Sequence, residues 1–225
     1  MVTDMNIEQA RFNMIEQQIR PWDVLNQGVL ELLAVVKRED FTPAAYRALA
    51  FVDTEVPLSP STGGQQCMLA PKVEARLLQE LAVHKHERVL EIGAGSGFMA
   101  ALLAHRAQHV TTLEIDAGLA DFARANLRRA GVMNVTVSHA DGAKGLMTDA
   151  PFDVIVLSGS VAEVPATLLA QLKVGGRLAA IVGQQPVMRA MLITRSGEQG
   201  LEHTVLFDTV AQRLQGFDEP SRFKF

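Results

Sequence analysis

Residues 88–98 read Arg-Val-Leu-Glu-Ile-Gly-Ala-Gly-Ser-Gly-Phe. Val89, Leu90 and Ile92 make a short apolar run, the pattern of a buried strand. Gly93, Ala94, Gly95, Ser96 and Gly97 then turn the chain sharply. Phe98 to His105 continues as a helix rich in Ala and Leu. Strand, glycine turn and helix together open the nucleotide-binding half of a doubly wound α/β sheet, where missing Cβ atoms let backbone and ligand approach closely.

The glycine spacing is Gly-x-Gly-x-Gly, whereas a dinucleotide site reads Gly-x-Gly-x-x-Gly. Glu91 stands in the strand two residues before the first glycine, and the turn holds no basic residue. An acidic crevice suits a ligand with a cationic end better than a pyrophosphate. S-adenosyl-L-methionine, with an ammonium, a sulfonium and no phosphate, is such a ligand. An NAD-dependent oxidoreductase fits the spacing and Glu91 poorly.

The following elements repeat the theme. His109 to Ile115 is a β-branched run ending in Glu114, Ile115 and Asp116. Glu114 lies about twenty residues past the glycines, where a carboxylate at a strand's carboxyl end accepts from both ribose hydroxyls. Ala117 to Ala130 is an amphipathic helix stopped by Gly131. Asn134 to His139 is a third strand closed by Asp141 and Gly142, a carboxylate beside a glycine suited to adenine's exocyclic amine. Phe152 to Leu157 is a fourth strand. Ser158, Gly159 and Ser160 follow at its carboxyl end, the sheet edge where ligands sit, and floor an acceptor pocket. Val164 to Leu172 reads as a helix with Pro165 in its first turn. Gly175 and Gly176 turn the chain into a strand over Arg177 to Val182. Met188 to Thr194 and Leu201 to Val210 are two closing strands joined by a hairpin turn at 196–200. The expected fold is therefore α/β: a doubly wound, mainly parallel seven-stranded sheet with helices on both faces and a C-terminal antiparallel strand pair.

Upstream, residues 1–50 read as a helical cover. Ile7 to Ile19 has Phe12, Ile15 and Ile19 at helical intervals, and Pro21 breaks it. Asp23 caps a second helix carrying Val24 to Val36. The stretch Asp40-Phe41-Thr42-Pro43 starts a third, through Ala50. Residues 52–71 leave the pattern: Val52 to Leu58 is extended, and Ser59 to Gln66 is polar and turn-rich, a loop placed to lie over the cofactor. Pro71 opens a helix through Leu81 with Val73, Leu77, Leu78 and Leu81 on one face. Residues 1–225 are read as one domain, with 52–71 the substrate loop, 72–182 the cofactor-binding core and 183–225 the closing strands and tail.

Composition narrows the function. Of 225 residues 48% are hydrophobic, which excludes a disordered chain. A formal net charge of −4 without a dense Lys/Arg block argues against a nucleic-acid or membrane partner. Cys67 is the only cysteine, so no intrachain disulfide forms, and the expected compartment is reducing and cytoplasmic. His84 and His86 lack a carboxylate or cysteine set to complete a metal site, so no metal is expected.

The residues resemble the protein-L-isoaspartate O-methyltransferase family, within the Rossmann-like S-adenosylmethionine-dependent methyltransferases. The likeness runs over nearly the whole length. It rests on Met14 to Ile19, Phe41-Thr42-Pro43, Val56-Pro57-Leu58, the turn from Val89 to Gly97, Asp141-Gly142, Ala150 to Asp153 and Leu172 to Leu178. The resemblance implies S-adenosyl-L-methionine as cofactor and methyl transfer to a carboxylate of damaged aspartyl residues in a peptide or protein. It implies a cofactor site over Gln66, Glu91, Gly93, Ala94, Gly95, Ser96, Gly97, Glu114, Ile115, Asp141, Gly142 and Ser158. One departure stands out: Leu69 occupies the position where the family's substrate loop carries a serine near the reacting centre, and Cys67 replaces a threonine. That departure keeps two alternatives open, a small-molecule acceptor and a non-catalytic binding module. It leaves the catalytic residue unassigned. The oligomeric state is not legible.

Overall fold

The computed structural model describes residues 4–59, 66–198 and 200–219. Most of the turn-rich stretch expected to cover the cofactor (60–65), the end of the tail (220–225) and Gln199 of the hairpin turn lie outside the described residues.

Helix α1 (Asp4–Met14) runs on into a wide π turn, Ile15–Ile19, and a tight 3-10 turn, Arg20–Trp22. Pro21 therefore does not break the helical path; it sits within the last turn, and the chain leaves at Asp23, whose φ is 58°. Asp23 ends one element instead of starting the next. The cap of α2 (Gln27–Val35) is Asn26, whose side-chain oxygen accepts from the Val29 N–H at 3.2 Å. Asp40 falls inside a short helix of its own, α3 (Arg38–Phe41), and Pro43 leads into a 3-10 turn, Ala44–Leu49. Strands β1 (Val56–Pro57) and β2 (Cys67–Met68) pair antiparallel, a clasp at the base of the substrate loop. Helix α4 (Pro71–Leu81) starts at its proline and buries Val73, Leu77, Leu78 and Leu81, as its spacing predicts.

The sheet begins with β3 (Arg88–Ile92), followed by α5 (Phe98–Ala104), β4 (His109–Glu114), α6 (Ala117–Arg129) and β5 (Val135–His139). It continues with β6 (Phe152–Val161), α7 (Ala166–Leu169), β7 (Leu172–Gln184), β8 (Val187–Arg195) and β9 (Leu201–Thr209). The order is β5-β4-β3-β6-β7-β8-β9. The first five strands are parallel, and β8 and β9 join antiparallel. Alternation along each strand feeds two cores. Val89, Val154, Val156, Ala179 and Ile181 face the side covered by α2, α4 and α5, while Leu90, Ile155, Leu157, Leu178 and Ala180 face the side covered by α7. Glu91, between Leu90 and Ile92, shares the face of Val89.

Three segments depart from expectation. Ser158 to Ser160 lies within β6, because a bulge between Val156 and Ser160 lets the strand continue to Val161. Gly175 and Gly176 lie within β7 at a second irregularity, where Leu172 already pairs with Phe152 before Arg177 pairs with Val154. That early pairing takes Leu172 away from the preceding helix, which shortens to α7 with Pro165 as its cap.

Candidate functional site

Connections leave β3 and β6 toward opposite edges of the sheet, and a crevice opens where their carboxyl ends diverge. It spans about 640 Å³, open solvent included. Its floor is Ile92, Gly93, Gly95, Glu114, Ile115, Gly142 and Ser158; Leu58, Gln66, Cys67 and Leu69 line the side of the substrate loop.

Glycine at 93 is dictated by its backbone, and a side chain there would also have to push the tip of Leu214 aside. The Gly93 φ is +91°, and a Cβ there would lie 2.8 Å from the Leu214 side chain. The turn is fastened by the Gly93 N–H, which donates to the Leu113 carbonyl at 2.8 Å. Glu114 is 5% exposed. Its Oε2 accepts from the Gly95 N–H at 2.8 Å and its Oε1 from the Asp116 N–H at 3.0 Å. Both carboxylate oxygens are thereby oriented at the crevice wall, each keeping acceptor capacity. Glu91 is fully buried. Its Oε1 accepts from the Ser158 hydroxyl at 2.7 Å, and its Oε2 has no hydrogen-bond partner. Burial pushes this carboxyl up to about 7; the nearby Thr112 hydroxyl, which falls short of hydrogen-bond geometry, and the bonded Ser158 hydroxyl pull it back, and Glu114 raises it further.

Ala94 and Ser96 line a smaller void beneath the turn, and the Ser96 hydroxyl accepts from the Phe98 N–H at 3.3 Å. Gly97 lies outside the lining of both: its φ is +83° and it packs against Ala123 and Leu127 of α6. Asp141 is exposed at the rim, its Oδ1 accepting from the Ala143 N–H at 2.9 Å with Gly216 alongside. The Gln66 carbonyl accepts from the Leu58 N–H at 2.8 Å, which fixes the loop against the crevice. Leu69 is buried where the crevice, the smaller void and a third void beside Asp53 and Lys72 meet. Its carbonyl accepts from Arg38 Nη2 at 2.8 Å. Burial, with a smaller push from Glu55, raises the Cys67 thiol to about 11, so it is neutral at pH 7.

Two contributions escape a reading by motif. Gln212, Arg213, Leu214 and Gln215 cross the crevice, held by the Leu214 N–H on the Ser160 carbonyl (2.9 Å) and the Ser160 N–H on the Gln212 carbonyl (2.8 Å). No periodicity marks them. Glu74 of α4 lines the smaller void. A signal was present there, because Glu74 lies three and four residues before Leu77 and Leu78, on the apolar stripe.

The sequence model of the protein-L-isoaspartate(D-aspartate) O-methyltransferase family matches residues 9–214. A protein-L-isoaspartate O-methyltransferase of Rhodopseudomonas palustris is 40% identical over 196 residues, covering 87% of this chain and 88% of its own. Protein-L-isoaspartate O-methyltransferase 1 of Syntrophobacter fumaroxidans is 35% identical over 202 residues, covering 90% and 92%. Among solved structures, a Plasmodium falciparum chain named for the same activity, in complex with S-adenosyl-L-homocysteine, superposes with a TM-score of 0.77. It is 20% identical and covers 91% of this chain and 98% of that one, a likeness of fold. On the family match and these relatives, the chain belongs to the protein-L-isoaspartate(D-aspartate) O-methyltransferase family.

Proposed function

We propose that this chain methylates the free carboxylate of isoaspartyl residues in proteins, using S-adenosyl-L-methionine. The observation that carries the reading is a crevice lined by Glu114 at the tip of β4, with the buried Glu91 of β3 lining the smaller void beneath the glycine turn, in a member of this family. The residues present fit the cofactor's chemistry. Glu91 Oε2 is a buried, unpartnered acceptor, and Glu114 presents oriented acceptors at the position of a ribose. Arg213, the basic side chain of the described lining, gives its Nε to Glu219 at 2.6 Å and its Nη2 to the Gly183 carbonyl at 2.9 Å.

When bound, the cofactor supplies an electrophilic methyl group on a sulfonium. A carboxylate acceptor is already an anion at pH 7, so the chain needs no general base. Transfer of that methyl to the carboxylate oxygen would yield a methyl ester and release S-adenosylhomocysteine. The protein's part is alignment and exclusion of water. Leu69 bears on both: an apolar side chain faces the junction of the voids, while its carbonyl is pinned by Arg38. On this reading the acceptor meets the methyl group beside Leu69, which lines the crevice with Leu58, Gln66 and Cys67. The near full-length relatives are named for the isoaspartyl reaction, and nothing among them favours a small-molecule acceptor or a non-catalytic module.

The test is transfer of labelled methyl to an isoaspartyl peptide, with the ordinary aspartyl peptide as control. Base-labile label in the first alone is the expected result. Calorimetric binding of S-adenosylhomocysteine without transfer would reject the acceptor; no binding would reject the reading as a whole.

A further inference from the structure

The smaller void under the glycine turn, about 260 Å³ with open solvent included, shares Cys67, Leu69, Gly93, Gly95 and Ser158 with the main crevice and adjoins it. Two carboxylates line it, Glu74 and Glu91, which are 4% and 0% exposed. One guanidinium, Arg38, 1% exposed, lies against Glu74. Arg38 Nε is 3.6 Å from Glu74 Oε2, and its other nitrogens donate to the carbonyls of Ala50 (3.1 Å) and Leu69 (2.8 Å). Arg38 Nε, Glu74 Oε2 and Glu91 Oε2 all lack a hydrogen-bond partner. The remaining charged neighbours do not correct the balance. Asp53 is paired with Lys72 at 2.7 Å, and Glu114 is held by backbone N–H groups. Of the two neighbouring buried acids, Glu74 thus has one cation beside it and Glu91 none, and an uncompensated buried charge is costly.

We propose that Glu74, together with Glu91, seats the ammonium of the cofactor's amino-acid end, so that the ligand supplies the positive charge this buried cluster lacks. The inference rests on the reading of the crevice as an S-adenosylmethionine site and assigns Glu74 as a binding residue of it. In the ligand-free protein a proton fills the deficit. Burial lifts the Glu74 carboxyl to about 8, with Arg38 opposing and Glu91 reinforcing, and lifts Glu91 to about 7. Entry of an ammonium displaces that proton. The competing view makes Glu74 only the anchor of Arg38, tying α3 to α4; in that case the amino-acid end of the ligand is indifferent to it.

The experiment compares S-adenosylhomocysteine with 5′-methylthioadenosine, which keeps the adenosine and thioether but has no ammonium. Calorimetry on the wild type runs from about pH 6 to about pH 7.5, below the titration of the ligand's own amine. S-adenosylhomocysteine affinity rises with pH, by up to roughly tenfold per unit for each proton displaced, and 5′-methylthioadenosine affinity stays flat. Glu74→Gln weakens S-adenosylhomocysteine by at least about tenfold at the upper pH and flattens its profile, at a charge-assisted contact's usual worth. The same variant binds 5′-methylthioadenosine as before, which certifies its fold. If Glu74→Gln fails to fold, Glu74→Asp takes its place: it keeps the charge but draws it back by one methylene, and is expected to weaken S-adenosylhomocysteine while leaving 5′-methylthioadenosine unchanged. Flat profiles for both ligands, or equal weakening of both by Glu74→Gln, would overturn the inference and leave the functional reading intact. Failure of both ligands to bind the wild type would overturn the two together.

Discussion

Glu114 carries two duties with one carboxylate. It fastens the glycine turn through the Gly95 N–H and aims its remaining acceptor capacity at the crevice. Glu114→Gln replaces one acceptor by an NH2 group facing a backbone N–H. The expected result is S-adenosylhomocysteine binding about tenfold to hundredfold weaker, with stability lower by about 1–3 kcal/mol. Calorimetry and a denaturant titration on the same variant check both, and unchanged affinity would remove Glu114 from the site. Leu69 is the opposite case, a position where a polar group is missing. Leu69→Ser returns an orienting hydroxyl beside the acceptor path while Arg38 still holds the carbonyl. An ordinary hydrogen bond's net worth predicts a rise of about two- to tenfold in kcat/KM on an isoaspartyl peptide. A fall would mean that the apolar wall, and with it the exclusion of water, matters more than orientation. The glycines and Glu114 were legible in the sequence because their constraint is local: a positive φ, or a place at a strand tip. Leu214 was not, and Glu74 showed only as a charge on an apolar stripe, since each acquires its role from residues far away in the chain that only the packed sheet brings near.

Elements are fixed in this protein by a few positions whose neighbours leave no latitude. Gly97 and Gly131 both have positive φ, at the start of α5 and after the end of α6. Gly131 completes a Schellman close, with its N–H on the Arg128 carbonyl (3.1 Å) and the Val132 N–H on the Leu127 carbonyl (3.0 Å), and a Cβ there meets open space. At Gly97 a Cβ would meet Leu127 and the Ala123 backbone at 3.2–3.4 Å. Gly131→Ala is therefore expected to cost about 1 kcal/mol of stability. Gly97→Ala should cost that plus about 1–3 kcal/mol of overpacking, so that the difference between the two variants in urea measures the α5–α6 contact. Arg177 is a second such point: it donates to both Glu87 oxygens (2.6 and 2.9 Å) and to the Ala82 carbonyl (2.9 Å), joining the end of α4 to β7. Arg177→Ala strands a buried carboxylate and is expected to cost about 3 kcal/mol. The strands themselves were legible because alternation in the sequence is the alternation of two cores. The misread boundaries, Asp23 for Asn26 and a strand end at Leu157 in place of Val161, share one cause. A cap and a bulge are decided by which backbone groups find partners, and those partners include the tail crossing at Gln212 to Leu214.

For the molecule as a whole, the buried acids set the pH dependence of stability. Glu74 and Glu91 have folded values of about 8 and about 7 against an ordinary 4.5, and burial also raises Glu55. The folded chain therefore binds protons that the unfolded chain has released, and stability is fully present below about pH 4.5 and drains away as pH climbs to about 8. Other groups act elsewhere on the scale. Burial pushes Glu87 and Asp153 up, but hydrogen bonds to the Arg177 guanidinium and the His84 N–H for Glu87, and to the Arg88 N–H and Lys173 for Asp153, outweigh it. Their contribution is lost only as pH falls below about 4.5. His105 is lowered from 6.5 by burial and then by Lys85 and Arg106, so it opposes the trend only below about pH 6.5. Between about pH 6.5 and 8 the two core carboxyls dominate, at up to about 1.4 kcal/mol per pH unit for each proton held. Ligand-free protein is accordingly expected to melt several degrees lower at pH 8 than at pH 6.5, and saturating S-adenosylhomocysteine to flatten or reverse that slope by taking the protons' place. Scanning calorimetry with and without the ligand reads both. A ligand-free melting temperature that rises over this interval would mean that the two carboxylates ionise freely inside the folded core, and that no cation is wanted there.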